Sequence, residues 1–104
     1  MRELTSLEDL KIVLKKYNKI ILKFYGDFCQ PCKIIEPLVL DLEKKNTGIK
    51  FYSVNSENTN VSKVFEHFNV SSLPTFVAVE NSKYQGTIVG SDANALIQFV
   101  KNLN

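Results

Sequence analysis

Phe28-Cys29-Gln30-Pro31-Cys32-Lys33 holds both cysteines of the chain and lies between an apolar run, Ile20 to Tyr25, and a helically spaced apolar pattern that follows it. If the second cysteine falls one helical turn after the first, the two sulfurs can meet, and one dithiol can become one disulfide locally. A helix that begins at or just after Cys29 surrounds this sulfur with unpaired N–H groups and the positive end of the helix dipole, which favours a thiolate. An unperturbed thiol with a pKa of about 8.5 is only about 3% thiolate at pH 7, and bringing it to half requires roughly 2 kcal/mol. Pro31, in the first helical turn, loses no hydrogen bond and stiffens the turn by fixing φ. Cys29 is therefore the expected nucleophile. Cys32, deeper in the helix, is the expected resolving thiol, which would attack the mixed disulfide that Cys29 forms and release the reduced product.

Working outward, Ile20 to Tyr25 carries apolar residues on both alternation faces and predicts a central strand covered by helices on each side. Beyond the cysteines, Ile35, Leu38, Val39 and Leu42 predict a helix to about Asn46, with Pro37 kinking it and Gly48 as a stop just past its end. Toward the N-terminus, Met1 to Thr5 reads as a short edge strand. Ser6 and Asp9 then form a capping box for a helix marked by Leu7, Leu10, Leu14 and Tyr17, with Asn18 as its end. Toward the C-terminus, Ile49 to Val54 predicts a third strand, and the polar stretch Asn55 to Asn60 leads to a short helix marked by Val61, Val64, Phe65 and Phe68. Thr75 to Val79 and Tyr84 to Val89 predict antiparallel strands joined by a hairpin-length link. Gly90-Ser91-Asp92 provides a turn and an N-cap for a last helix marked by Leu96, Phe99, Val100 and Leu103. The resulting order, β-α-β-α-β-α-β-β-α, predicts an α/β fold: a mixed central sheet of about five strands with four helices on both faces.

Composition narrows the chemistry. The 104 residues, 44% apolar, suffice for one domain with a continuous core. A net charge of +2, from 13 basic and 11 acidic residues spread along the chain, gives no nucleic-acid footprint. The first residues lack the apolar segment of a signal peptide and no run is long enough for a membrane span, so the expectation is a soluble, cytoplasmic protein. Two tightly spaced cysteines do not resemble a secreted disulfide framework. A structural zinc site would need about four ligands, and beyond the cysteines the chain offers one histidine, His67, with no ligand close by in sequence. No metal is expected. A purely structural disulfide would close so small a loop that its entropic contribution is modest.

These residues resemble the thioredoxin family over essentially the whole chain, 1–104, read as a single thioredoxin domain. The resemblance is carried by the strand Ile20 to Tyr25, the motif Cys29-Gln30-Pro31-Cys32-Lys33, Pro37 inside the helix, Leu73-Pro74-Thr75, and Val89-Gly90. It implies a thioredoxin fold in which Leu73-Pro74 is a cis peptide lying against Cys29. An apolar docking rim of Phe28, Leu73, Pro74, Val89 and Gly90 is implied as well, whereas Phe28 read without the resemblance would simply be core. The family usually has Trp-Cys-Gly-Pro-Cys. Here Phe28 replaces the tryptophan and Gln30 the glycine, a change expected to alter the redox potential.

Lys23 stands where the family has a buried aspartate behind the resolving cysteine. One reading has its stem packed while the ammonium snorkels to water. The other places it close enough to the dithiol to lower a thiol pKa, or to act as a base after giving up its own proton. The function implied is a protein-disulfide reductase without a bound cofactor. Its substrates would be disulfide-containing proteins, its electrons would come from NADPH through a flavin-containing thioredoxin reductase or from a glutathione system, and it would act as a monomer. The alternatives are a disulfide isomerase or oxidant, an adaptor subunit with the same fold and incidental redox activity, and a metal carrier.

Overall fold

Both apolar faces of the Ile20 to Tyr25 run are covered, which makes it the middle of the molecule. The structure is a computed structural model that describes residues 1–104. Its elements are β1 (Arg2–Glu3), α1 (Leu7–Lys16), β2 (Lys19–Tyr25), α2 (Gln30–Lys45), β3 (Lys50–Asn55), α3 (Ser62–His67), β4 (Thr75–Glu80), β5 (Lys83–Val89) and α4 (Ala93–Leu103), with a 3-10 turn at Thr59–Val61 leading into α3. The five strands are ordered β1-β3-β2-β4-β5. β1 and β2 run parallel to β3, whereas β4 runs antiparallel to both β2 and β5. This is the mixed sheet and element order that the residue pattern predicts.

Alternation along β2 divides the core in two. Ile20, Leu22 and Phe24 face one layer with Leu10 and Val13 of α1 and Val64 of α3. Ile21 faces the other with Ile35, Val39 and Leu42 of α2 and Leu96, Val100 and Leu103 of α4. Each fully buried side chain of this size contributes about 1.5–3 kcal/mol relative to an exposed one, so α2 is held to the sheet by its apolar stripe. The polar side chain of Lys23, next on the Ile21 face, interrupts that layer directly below the start of α2.

The helix ends show where local chemistry differs from expectation. Ser6 caps α1 by accepting the Asp9 N–H at 3.0 Å, but the reciprocal half of the capping box is not made. The Asp9 carboxylate turns instead to the Thr5 N–H at 3.0 Å and to the Arg2 guanidinium at 2.6 Å, joining β1 to α1. α1 closes at Tyr17, whose N–H reaches the Val13 carbonyl, rather than at Asn18. α2 runs on through Pro37, which withholds the hydrogen bond that would end on the Lys33 carbonyl; both residues are exposed, so water can serve that carbonyl. Asn46, not Gly48, supplies the stop: its backbone and side-chain N–H groups both donate to Leu42 O, at 3.0 and 2.8 Å. Between β4 and β5, Asn81 and Ser82 have φ of 55° and 64°, the two-residue hairpin geometry that matches the twist of the strands.

Candidate active site

Cys29 is the residue before the first turn of α2. Its backbone is extended, at φ −95° and ψ 101°, while its carbonyl accepts the Lys33 N–H at 3.3 Å. Its Sγ accepts the Cys32 N–H at 3.2 Å, occupying the place that a serine or aspartate oxygen takes at an ordinary helix start. The two cysteines form a disulfide across a Cα–Cα distance of 5.3 Å. Cys29 is half-buried, whereas Cys32 is only 2% exposed. Gln30 and Pro31 fill the exposed first turn between them.

The expected rim residues collect at the same end of the sheet. Phe24 of β2 pairs with Thr75 of β4, and Thr75 pairs with Val89 of β5, so the segments preceding β4 and following β5 flank the loop that leads from β2 to Cys29. The Leu73-Pro74 peptide is cis, and the Pro74 carbonyl accepts the Gly90 N–H at 2.8 Å, which holds the two segments together. Gly90 adopts φ of 104°, a conformation suited to glycine. Leu73 lies against Gly26, where an added Cβ would be 3.1 Å from Leu73 Cδ1 and 2.9 Å from Ser56 Oγ. Phe28 is 93% exposed and Val89 63%, so the core reading of Phe28 is incorrect: the ring is presented to solvent beside Cys29.

Lys23 does not snorkel. It is 4% exposed, and its ammonium donates to Glu36 Oε1, from one turn after Cys32 on α2. Lys23, Cys32, Lys33 and Glu36, with Tyr25 and Asp27, line one cleft of about 230 Å³. On the same face, toward β1, the Tyr25 hydroxyl and the Ser53 hydroxyl each donate to Glu3 Oε1 at 2.8 Å. Burial, followed by the neighbouring Glu3 carboxylate, pushes the Tyr25 phenol up to about 12.

Three features of this site are absent from the sequence reading. Glu36 follows Cys32 at i+4, a helical spacing that could have drawn attention to it. The group formed by Glu3, Ser53 and Tyr25 depends on strand register, which one sequence does not display. A polar tie also holds the active-site loop, because Glu57 accepts the Asp27 N–H at 3.0 Å and Asn55 donates to Asp27 at 3.0 Å. The Ser56 hydroxyl, followed by the backbone N–H donors, holds the Glu57 carboxyl below its usual range despite opposing desolvation. His67 lies on α3 with its ring edge-on to Phe68 at 4.7 Å between centroids.

A capping cysteine that pairs with a buried partner one turn later can hold two electrons or give them up, which is the working part of a thiol-disulfide oxidoreductase. The family can be stated as well: the Thioredoxin family model matches residues 3–102, and the chain belongs to the thioredoxin family. A thioredoxin-like protein of Acanthamoeba polyphaga mimivirus is 32% identical over 94 residues, covering 88% of this chain and 69% of that protein. Thioredoxin 1 of Plasmodium falciparum is 30% identical over 97 residues, covering 93% of this chain and 91% of its own. The solved structure of a Plasmodium falciparum thioredoxin superimposes with a TM-score of 0.93 at 27% identity, covering 100% of both chains. The architecture is thus the thioredoxin fold, and the chain is a protein-disulfide reductase that acts on disulfide substrates and depends on a reductase partner.

Proposed function

We propose that this protein reduces protein disulfides with Cys29 as the attacking thiol and Cys32 as the resolving thiol. The observation that carries this assignment is the position of Cys29 Sγ at the start of α2, where it accepts the Cys32 N–H, while Cys32 itself is buried. Thiolate character belongs to the sulfur that receives N–H donation and the helix dipole, and access belongs to the less covered one. The Cys29 thiolate attacks one sulfur of the substrate disulfide; a Cys29–substrate bond forms, and the other substrate sulfur leaves as a thiolate and takes up a proton. The Cys32 thiolate then attacks Cys29 Sγ, the Cys29–Cys32 bond forms, and the second substrate thiolate leaves. Two electrons pass from the dithiol to the substrate.

Phe28, Leu73, Pro74, Val89 and Gly90 provide the docking rim, an apolar border beside the nucleophile from which a peptide's side chains displace water. Gln30, Pro31 and Lys23 tune the dithiol: the first two through the turn that separates the sulfurs, the third through a positive charge in the Cys32 cleft. Membership of the family supports a supply of electrons from NADPH through a thioredoxin reductase, with no cofactor resident on this chain. We place the protein in electron transport and cell redox homeostasis, as a monomer whose residues 1–104 act as one unit, in the cytoplasm, where a reducing environment regenerates thiols.

Mass spectrometry after reaction with a disulfide-containing protein tests the order of attack. Cys32→Ser should accumulate a stable mixed disulfide through Cys29, and Cys29→Ser should accumulate none. Trapping through Cys32 in Cys29→Ser, with none in Cys32→Ser, would reverse the assignment.

A further inference from the structure

When a protein substrate covers Phe28, Val89 and the Pro74 segment, the front of the active site is closed, yet the resolving thiol must still lose its proton before it can attack. Cys32 is 2% exposed, so that proton cannot pass directly to bulk water. The cleft behind Cys32 offers another exit. None of Phe28, Leu73, Pro74, Val89 and Gly90 lines it, so the cleft and the docking rim are built from different residues. At about 230 Å³ and with polar groups on its wall, it has room for several waters, each of about 30 Å³.

Within the cleft, Glu36 has the properties of a proton carrier. It follows Cys32 by four residues on α2 and therefore shares its helix face, it lines the same cleft as Cys32, and its side chain is 39% exposed, so its carboxylate is open to solvent. Lys23 fixes it there by donating from below to Oε1, with its own ammonium 5.3 Å from the centre of the Tyr25 ring. The other charged or titratable groups on this cleft are Asp27 from the loop after β2 and Lys33 on α2. Tyr25 also lines the cleft, but its hydroxyl is engaged by Glu3 of β1. A carboxylate accepts a thiol proton, whereas the ammonium of Lys23 has no lone pair to do so.

We propose that Glu36, anchored by Lys23, receives the Cys32 proton and passes it to solvent through the rear cleft during resolution of the mixed disulfide. The carboxylate is thereby supplied from the helix, while the strand position behind the resolving cysteine supplies the cation that holds it. Lys23 is a positioning residue in this scheme. The proposal rests on Cys32 being the resolving thiol. Its bookkeeping is closed: the S–H bond of Cys32 breaks, its proton moves to Glu36, and the electron pair left on Cys32 Sγ forms the bond to Cys29 as the substrate thiolate departs.

The test is rapid acid quench of the reduced protein reacting with a disulfide-containing protein between pH 5.5 and 8.5, with the mixed disulfide quantified by mass spectrometry. Glu36→Gln keeps the side-chain shape and an acceptor for Lys23. It should slow resolution about tenfold near pH 6, so that the mixed disulfide accumulates, and the defect should shrink toward pH 8.5, where solvent accepts the proton unaided. Glu36→Asp should restore most of the rate. Iodoacetamide alkylation of Cys29 should stay within about twofold of the parent, because the first step does not use Glu36. Parent-like resolution in Glu36→Gln across the range would overturn the proposal, as would a defect of constant size at every pH, the mark of disturbed packing alone. Cys32→Ser run alongside separates the two assignments: failure to trap a mixed disulfide in that variant would remove Cys32 as the resolving thiol, whatever Glu36→Gln does.

Discussion

At Phe28 the structure separates the two readings of the sequence, exposed rim and core, and shows an exposed ring. An aromatic residue beside a buried motif is usually core, yet its 93% exposure makes it the most prominent apolar group near Cys29. Covering such a ring on docking is worth about 1.5–3 kcal/mol, enough for about a tenfold effect on association with a protein. Phe28→Ser is therefore expected to lower kcat/KM about tenfold for a protein disulfide while leaving reaction with a small aromatic disulfide within about twofold, both followed by thiol release. Equal losses on the two substrates would move Phe28 from docking to chemistry. Lys23 shows the opposite limit of sequence reading. The packing of its stem was legible from its place in an apolar strand, but the burial of its ammonium was not, because the partner, Glu36, lies 13 residues away on a different element.

At the scale of elements, the apolar stripes identified the four α-helices and the four longer strands, whereas polar side chains decided how they end and join. Asn46 closes α2 with two donors to one carbonyl, and Asp9 joins β1 to α1 through Thr5 and Arg2. Burial opposes the charge on Asp9, but the Thr5 N–H and hydroxyl together with Arg2 outweigh it, so its carboxyl is held below the usual range. A carboxyl depressed in the folded state stabilises the fold above its unfolded pKa, and that contribution is lost as pH falls through the folded value. Asp9→Asn should thus cost about 1–3 kcal/mol at pH 7, read from urea unfolding, and the gap to the parent should narrow toward pH 2. A gap of the same size at both pH values would contradict the role given to the carboxylate.

For the molecule as a whole, the two-faced apolar pattern of β2 made a central strand predictable, and the element order made a mixed sheet predictable. The strand order β1-β3-β2-β4-β5 supplies what the pattern alone does not. It brings the Pro74 and Gly90 segments to the end of the sheet from which Cys29 emerges, and it aligns Glu3, Ser53 and Lys23 in neighbouring registers on the α2 side. The dithiol was legible because its chemistry is local to four residues. Its rear cleft was not, because that cleft exists only once β2 and α2 are packed together.

The central claim is that these two cysteines, on this scaffold, pass electrons to protein disulfides. Reduction of insulin by dithiothreitol, followed as the turbidity of the released B chain, tests it directly. The protein should accelerate precipitation at catalytic concentration, and Cys29→Ser should be indistinguishable from dithiothreitol alone. An unaccelerated reaction with the folded, fully reduced protein would contradict the account.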